Sequence, residues 1–284
     1  MKFTASILIV FCTKVALALV SGPDSTVIKG EQVLSLGFNN ESGLAKPLET
    51  SNSWISSKIE TKKLTYALGL GDFEGYGAEH ILGVTVGLEN SAAEEKNGSV
   101  FYEKMESKSI GLQYSAKPIS ETDFSLTVYS SVLLFFEGKK EKFVQGRNDQ
   151  VQLGLRSSSR MAERGIFESW LHYGSGFSGK QNSYLANSFS FGYRFGQPGQ
   201  IEPSFRFGPY IEFDLESRRD ANYEAAFGTG HPSESIRQIK IADALYFDIA
   251  FYRKYLLSVV SLRKRAGEDL RSTEAFSIQL AAKF

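Results

Sequence analysis

The feature that most constrains this chain is an alternation of apolar and polar side chains with a period of two residues. In the stretch 187–196, Phe189, Phe191, Tyr193 and Phe195 alternate with serine, glycine and arginine. Successive side chains of a β-strand point to opposite faces, whereas a helix would repeat with a period near 3.6. The pattern, which recurs along the chain, therefore predicts an all-β protein whose strands each carry one apolar face.

The alternation predicts about twelve strands, most of them close to the nine to eleven residues that a tilted strand needs to cross a bilayer. The predicted strands are 31–38, 58–70, 79–89, 107–116, 123–137, 149–157, 164–174, 186–196, 201–215, 239–252, 255–263 and 272–284. The connections between them alternate between long and short along the chain. Transmembrane barrels sort their connections in this way, with short turns at one rim and long loops at the other.

Aromatic residues argue for a membrane-facing barrel over a secreted β-sandwich or soluble barrel, which would also alternate apolar and polar residues. The chain has 22 Phe and 13 Tyr, and several strands carry large aromatics in series on one face. Lipid tolerates such a surface, and water does not. Aromatics also gather near predicted strand ends, where barrels place interfacial girdles. These girdle residues are Phe195, Phe251, Tyr252, Tyr255 and Phe284.

The last strand carries a family resemblance. Phe284 ends the sequence, and Phe276, Ile278 and Leu280 precede it at intervals of two. This pattern resembles the C-terminal β-signal of bacterial outer-membrane β-barrels, although Ala282 stands where an aromatic residue is sometimes found. The resemblance implies a single transmembrane antiparallel up-and-down barrel with short periplasmic turns, longer extracellular loops and both termini in the periplasm. It also implies as partners the barrel-assembly machinery, outer-membrane lipid and lipopolysaccharide.

The N-terminal residues resemble an export signal. Lys2 precedes an apolar stretch, 3–20, in which Ala16 and Ala18 offer a small-x-small cleavage site. We expect a cleaved secretory signal peptide over 1–22 and one barrel domain over 23–284. The formal net charge is zero, so nothing in the composition indicates a nucleic-acid partner.

The inward-facing charges are the candidate functional residues. By strand parity we expect the following to line the interior: Arg156, Glu168, Arg194, Glu202, Arg206, Glu212, Asp214 and Asp248. If Phe195 pairs with Ile201, Arg194 lies opposite Glu202. Such residues either zip the lumen shut through salt bridges or form a mixed-charge constriction that selects solutes. Inward glycines such as Gly83, Gly111 and Gly154 leave space, which favours a narrow channel.

A catalytic role is a weaker expectation, and His172 is its one candidate. Some outer-membrane lipid hydrolases pair a histidine with a serine, and such a pair needs hydrogen-bond reach. The parity of His172 points into the lumen, whereas that of the neighbouring Ser169 points outward. No cluster of His, Asp and Glu shows metal-ligand spacing, and no cofactor is expected.

Three functions remain compatible with the sequence. The first is a narrow porin-like channel for small polar or charged solutes. The second is an outer-membrane lipid or lipopolysaccharide hydrolase, and the third is a closed barrel that serves adhesion or structure through its loops.

Overall fold

The structure is a computed structural model that describes residues 29–45, 55–71, 79–95, 102–121, 123–137, 149–176, 182–197, 199–217, 239–267 and 270–284. The predicted signal peptide, 1–22, lies outside these residues. The strands are β1 (Gln32–Ala45), β2 (Ile55–Gly71), β3 (Glu79–Glu95), β4 (Tyr102–Ser120), β5 (Phe124–Glu137), β6 (Gln150–Met161), β7 (Gly165–Gly176), β8 (Asn182–Arg194), β9 (Ile201–Ser217), β10 (Ile239–Phe251), β11 (Tyr255–Gly267) and β12 (Leu270–Lys283). Within the described ranges, no helix is long and apolar enough to cross a membrane.

The twelve strands form one closed antiparallel up-and-down barrel, as the sequence predicts. Each strand pairs with the next along the chain, and β1 closes the barrel by pairing with β12 from Val33 opposite Lys283 onward. The backbones of Gln32 and Phe284 exchange two hydrogen bonds of 2.9 and 3.0 Å at this seam. Closure leaves no strand edge unpaired, which is what allows a β-structure to stand in lipid.

The two rims of the barrel differ in their connections. The last residues of β4, β6, β8 and β10 and the first residues of β5, β7, β9 and β11 lie at one end of the barrel, together with Gln32 and Lys283. We call this end the turn rim and the opposite end the loop rim.

Several strands extend further toward the loop rim than the alternation predicted. β1 ends at Ala45, whereas residue 38 was predicted. β4 begins at Tyr102, whereas residue 107 was predicted. The extensions are polar, so the apolar alternation fades there while backbone pairing continues; Asn39, for example, pairs with Thr61. Hydrogen bonds between strands do not depend on side-chain polarity, so the ladder outlasts the pattern.

The outer face of the barrel is apolar over its whole circumference. Leu36 and Phe207 each expose 57% of their surface, and each of the twelve strands carries at least one exposed large apolar side chain. At the turn rim, Phe195, Tyr252, Tyr255 and Phe284 are exposed, as expected for a girdle, and Phe251 is partly exposed. An apolar band of this extent on the outside of a closed barrel fits contact with lipid.

The inner face carries small polar and charged side chains, but it also holds two apolar clusters that were not predicted from the sequence. The first lies on the wall from β8 to β12 and contains Tyr184, Ala186, Tyr210, Ala242, Ala244, Leu262 and Ala275, with Trp170, Tyr246 and Val260 packed against it. The second contains Val33, Ala67, Ile81 and Ala281, from β1, β2, β3 and β12. The same parity that singled out the inward charges also marks these residues as inward.

The predicted register between β8 and β9 is wrong by two residues. Arg194 pairs with Ser204 and not with Glu202, while Ile201 pairs with Phe251 of β10. The turn is wider than expected because Gly196 and Gly199 adopt left-handed backbone angles, with φ of 86° and 81°. A shift of two residues keeps every side chain on its predicted face, so the error leaves the assignment of inward residues unchanged.

The space expected above the inward glycines is filled by neighbouring side chains. A Cβ atom at Gly154 would overlap the ring of Tyr129, and one at Gly111 would lie 2.9 Å from a methyl group of Leu133. Gln113 covers Gly83 in the same way. These glycines therefore make room for larger residues on the paired strand, and their number does not measure an open lumen.

Candidate functional site: the charged wall of the lumen

Four inward side chains from four strands form one ion-pair network. Arg156 of β6 contacts Glu168 of β7 at 2.5 Å, and the same Glu168 oxygen contacts Arg206 of β9. The other guanidinium nitrogen of Arg206 lies 2.8 Å from Asp248 of β10. We call Arg156, Glu168, Arg206 and Asp248 the charged wall. Their side chains expose between 7% and 18% of their surface, so the network is largely shielded from water.

Further contacts fix the geometry of Arg206, the residue shared by both acids. Its guanidinium carbon lies 4.9 Å from the centre of the Tyr246 ring, within the range of a cation–π interaction. Ser258 of β11 donates a hydrogen bond to Asp248 and extends the network to a fifth strand. With two arginines and two acids, the charged wall is electrically balanced.

Two other predicted residues meet near the turn rim. Arg194 reaches Glu202 diagonally across the ladder, with 3.4 Å between the guanidinium nitrogen and the carboxylate oxygen. The backbone N–H of Gly199 donates to the second Glu202 oxygen at 2.5 Å. Glu202 thereby ties Arg194 to the turn that joins β8 to β9.

The last two predicted charges lie further toward the loop rim on β9. Glu212 is buried and accepts a hydrogen bond from the hydroxyl of Tyr210. Asp214 belongs to β9, but its side chain lies outside the described part of the structure.

His172 lies buried inside the lumen between two tyrosines. Its Nδ1 is 2.7 Å from the hydroxyl of Tyr129, and its Nε2 is 2.8 Å from the hydroxyl of Tyr184. The Trp170 ring stacks on the imidazole with centroids 4.9 Å apart. We call Tyr129, Trp170, His172 and Tyr184 the tyrosine–histidine cluster. Ser169 instead bonds Ser157, with 2.7 Å between the two hydroxyl oxygens.

Glycines on the paired strands make this cluster possible. Gly154 pairs with Tyr129 and Gly174 pairs with Tyr184, and each tyrosine ring covers its glycine. A side chain at either glycine would overlap the tyrosine ring that covers it. The rings are thereby directed toward His172, which both of them bind.

A cavity lies beside the charged wall. Its volume, counted as the space open to the centres of water molecules, is about 80 Å³. Arg156, Glu168 and Arg206 line one side, and Val260 and Leu262 of β11 line another. A single water needs about 10–15 Å³ on this measure, so the cavity has room for several waters or one small ring.

The wall formed by β2, β3 and β4 has a different chemistry. Its inward residues include buried side chains that carry a hydroxyl group and no charge; we call Thr61, Thr65, Thr85, Ser107, Ser109 and Ser115 the hydroxyl wall. The hydroxyls of Thr65 and Thr85 lie 2.9 Å apart on neighbouring strands. In the strand order of the barrel, β3 stands half-way round from β9, so the hydroxyl wall faces the strand that carries Arg206.

Metal ligation finds no support in the described ranges, where no three His, Cys, Asp or Glu side chains group closely enough to hold an ion. The described interior instead carries an ion-pair network and a cavity on one side, and buried hydroxyls together with the charged side chains of Glu89 and Lys117 on the other.

The fold and this polar, charged interior define a barrel of the bacterial outer-membrane type. Solved structures of that class are similar to the chain. An outer membrane channel from Pseudomonas putida F1 matches with a TM-score of 0.65 at 13% identity, covering 90% of this chain and 96% of the channel. The β domain of the Bordetella autotransporter BrkA matches with a TM-score of 0.61 at 11% identity, covering 90% of this chain and all 100% of the domain.

A further similar structure is the translocator domain of the autotransporter NalP from Neisseria meningitidis, with a TM-score of 0.56 and 12% identity over 99% of this chain and 96% of the domain. At these identities the likeness concerns the fold. No protein-family model matches the sequence, and no curated protein matches it either.

Proposed function

We propose that the protein is a narrow channel of the bacterial outer membrane that passes small polar or charged solutes. The observation that carries the proposal is the charged wall: two arginines and two acids joined across four strands inside a lipid-facing barrel, with a cavity beside them. Charged side chains that line a pore are one means by which pores discriminate among solutes.

The proposal includes the route by which the protein reaches its membrane. A signal peptide over 1–22 directs export, and the assembly machinery reads Phe276, Ile278, Leu280 and Phe284. The apolar outer face then contacts lipid and lipopolysaccharide, with the turn rim and both termini in the periplasm. In support, Phe276, Leu280 and Phe284 all expose their side chains on the outer face, where another protein can contact them during assembly.

The hydrolase alternative gains no such support. Both ring nitrogens of His172 are engaged by tyrosine hydroxyls, and the structure gives Ser169 a different partner. A histidine that activates a nucleophile needs that nucleophile within hydrogen-bond reach. These contacts support the channel rather than the hydrolase.

Planar-bilayer recordings test it. Folded wild-type protein is expected to conduct in a potassium chloride gradient, and Arg206→Ala should shift the reversal potential toward cation preference because it removes a positive charge from the lumen. Glu212→Ala should shift it toward anion preference. Arg263→Ala is the matched control, since Arg263 is 72% exposed and pairs outside the charged wall with Glu274, which is 68% exposed. Folded wild-type protein that gives no conductance would overturn the proposal.

A further inference from the structure

The cavity beside the charged wall has an apolar floor, which a pore for ions alone does not need. Val260, Leu262 and Ala275 line this floor from β11 and β12, and they belong to or pack against the larger interior apolar cluster. Burying apolar surface is the main favourable term in most ligand binding, and ligand sites combine mostly apolar walls with a few fixed polar groups.

Aromatic rings complete the cavity. Trp170 and Tyr246 line it, and the hydroxyl of Tyr246 lies 3.4 Å from the hydroxyl of Ser188. Arg206 lies over the Tyr246 ring and the Trp170 ring stacks on His172, so each ring is held in place beside the cavity by a neighbouring side chain. Rings in such positions favour a flat guest, because aromatic pairs gain from stacked or edge-to-face contact beyond the area that they bury.

The charge of the site selects against an ionic guest. Arg156 and Arg206 are both bound to Glu168, and Arg206 also binds Asp248, so the four charges cancel. An ion entering the cavity would lose hydration without gaining a net opposite charge. Ser190 and Ser277 also line the cavity and carry hydroxyl groups suited to a neutral polar substituent.

From these three observations we infer that the cavity is a binding site for a small uncharged aromatic molecule that carries a hydroxyl group. The ring lies against Leu262 and Ala275, and its hydroxyl group meets the serine hydroxyls. This inference deepens the proposed channel function and rests on it in one respect, namely that solutes reach the cavity through the lumen. The room available, about 80 Å³ for the centres of water molecules, limits the guest to about one ring.

Quenching of the Trp170 fluorescence tests the inference on the folded barrel in detergent, with 4-nitrobenzyl alcohol as the probe. The chain has 2 Trp, so the variant Trp54→Phe leaves Trp170 as the single reporter. In that background saturable quenching is expected, with glucose and benzoate as competitors that fail to displace the probe. Competition by glucose would assign the cavity to sugars and overturn the inference, as would quenching that never saturates.

Two substitutions locate the site. Leu262→Asn, which makes the floor polar, should weaken probe binding about tenfold or more, the effect typical of losing an apolar pocket contact. Leu133→Asn is the matched control: Leu133 is equally an inward leucine, 5% exposed against 7% for Leu262, but it lies on β5 and does not line the cavity. Equal loss in both variants, with both barrels folded by the heat-dependent shift in gel mobility, would overturn the inference.

A second pair of substitutions introduces apolar side chains only, so its result does not depend on whether a polar side chain unfolds the barrel. Ala275→Phe fills the cavity with an apolar side chain and should abolish saturable quenching, whereas Ala281→Phe in the other apolar cluster should preserve it. Bilayer recordings keep the two proposals apart. Binding without wild-type conductance would refute the channel and leave the site standing, and conductance without binding would refute the site alone.

Discussion

The charged wall and the hydroxyl wall occupy opposite sides of one lumen and are built by the same parity rule, yet they are held together differently. On the charged wall one side chain, Arg206, joins acids from two other strands. On the hydroxyl wall the contacts join neighbouring strands, as between Thr65 and Thr85. The difference teaches that a barrel interior is not one environment: long side chains join several strands on one side, and short hydroxyls join neighbouring strands on the other.

The largest expected effect lies on the charged wall. Arg206→Ala should lower the free energy of unfolding by about 3–5 kcal/mol, because removal of one partner leaves buried charge uncompensated. Urea unfolding in lipid vesicles measures the loss. Ser109→Ala, a buried hydroxyl on the opposite wall, is the control and should cost far less. A similar loss in both variants would remove the distinction between the walls.

The next effect tests whether glycine spacing positions the tyrosine–histidine cluster. Gly154→Ala should cost about 1–3 kcal/mol, the usual penalty for overpacking, because its Cβ would overlap the Tyr129 ring. Gly37→Ala is matched to it: the nearest atom to a Cβ there is Cβ of Lys63 at 3.9 Å. Unfolding curves of both variants should therefore separate, and overlapping curves would contradict the packing argument.

A comparable or slightly smaller effect is expected at His172 itself. His172→Phe keeps the ring but removes both nitrogens, which leaves the Tyr129 and Tyr184 hydroxyls without that partner at a cost of about 1–3 kcal/mol. The double variant with Tyr129→Phe should recover part of the loss, since one buried hydroxyl is then gone. A phospholipid hydrolysis assay on the same variants addresses the remaining alternative, and an activity that disappears with His172 would favour the enzyme.

The smallest effect belongs to the hydroxyl wall. Thr65→Val retains the branched shape of the side chain but removes its hydroxyl bond to Thr85, at a cost of about 0.5–1 kcal/mol. Equilibrium unfolding again provides the measurement. If Thr65→Val lowered the free energy of unfolding as much as Arg206→Ala does, the hydroxyl wall would contribute as much to stability as the charged wall.

Much of the fold could be predicted from the sequence because the period of two is a local property. The inward direction of Arg206 and Glu168 follows from counting along one strand, and so does the outward direction of Phe207. Positions of strand ends were less accurate, since polar residues such as Asn39 continue the ladder without an apolar signal. The register between β8 and β9 was also predicted incorrectly, because the glycines of their turn, Gly196 and Gly199, allow several turn geometries.

Strand parity predicts the inward direction of the four charged-wall residues but not the contacts between them, and the predicted set did not include the buried charges Glu41, Glu89 and Lys117. Strand parity marks Arg156 and Asp248 as inward, but it gives no reason to join them through Glu168 and Arg206. The larger interior apolar cluster was not predicted for a related reason. Along the sequence, Ala242 and Ala244 are simply small inward residues, and only the structure shows that Leu262 and Tyr210 belong to the same cluster.

The sequence by itself determined that this chain forms strands with one apolar face and one polar or charged face, since the alternation depends only on neighbouring residues. Only the tertiary structure decided which inward side chains meet, because that depends on barrel closure between β1 and β12 and on the stagger of each strand pair. Side chains far apart in the chain, such as Arg206 and Asp248, become partners when the closed ladder brings their strands to the same height.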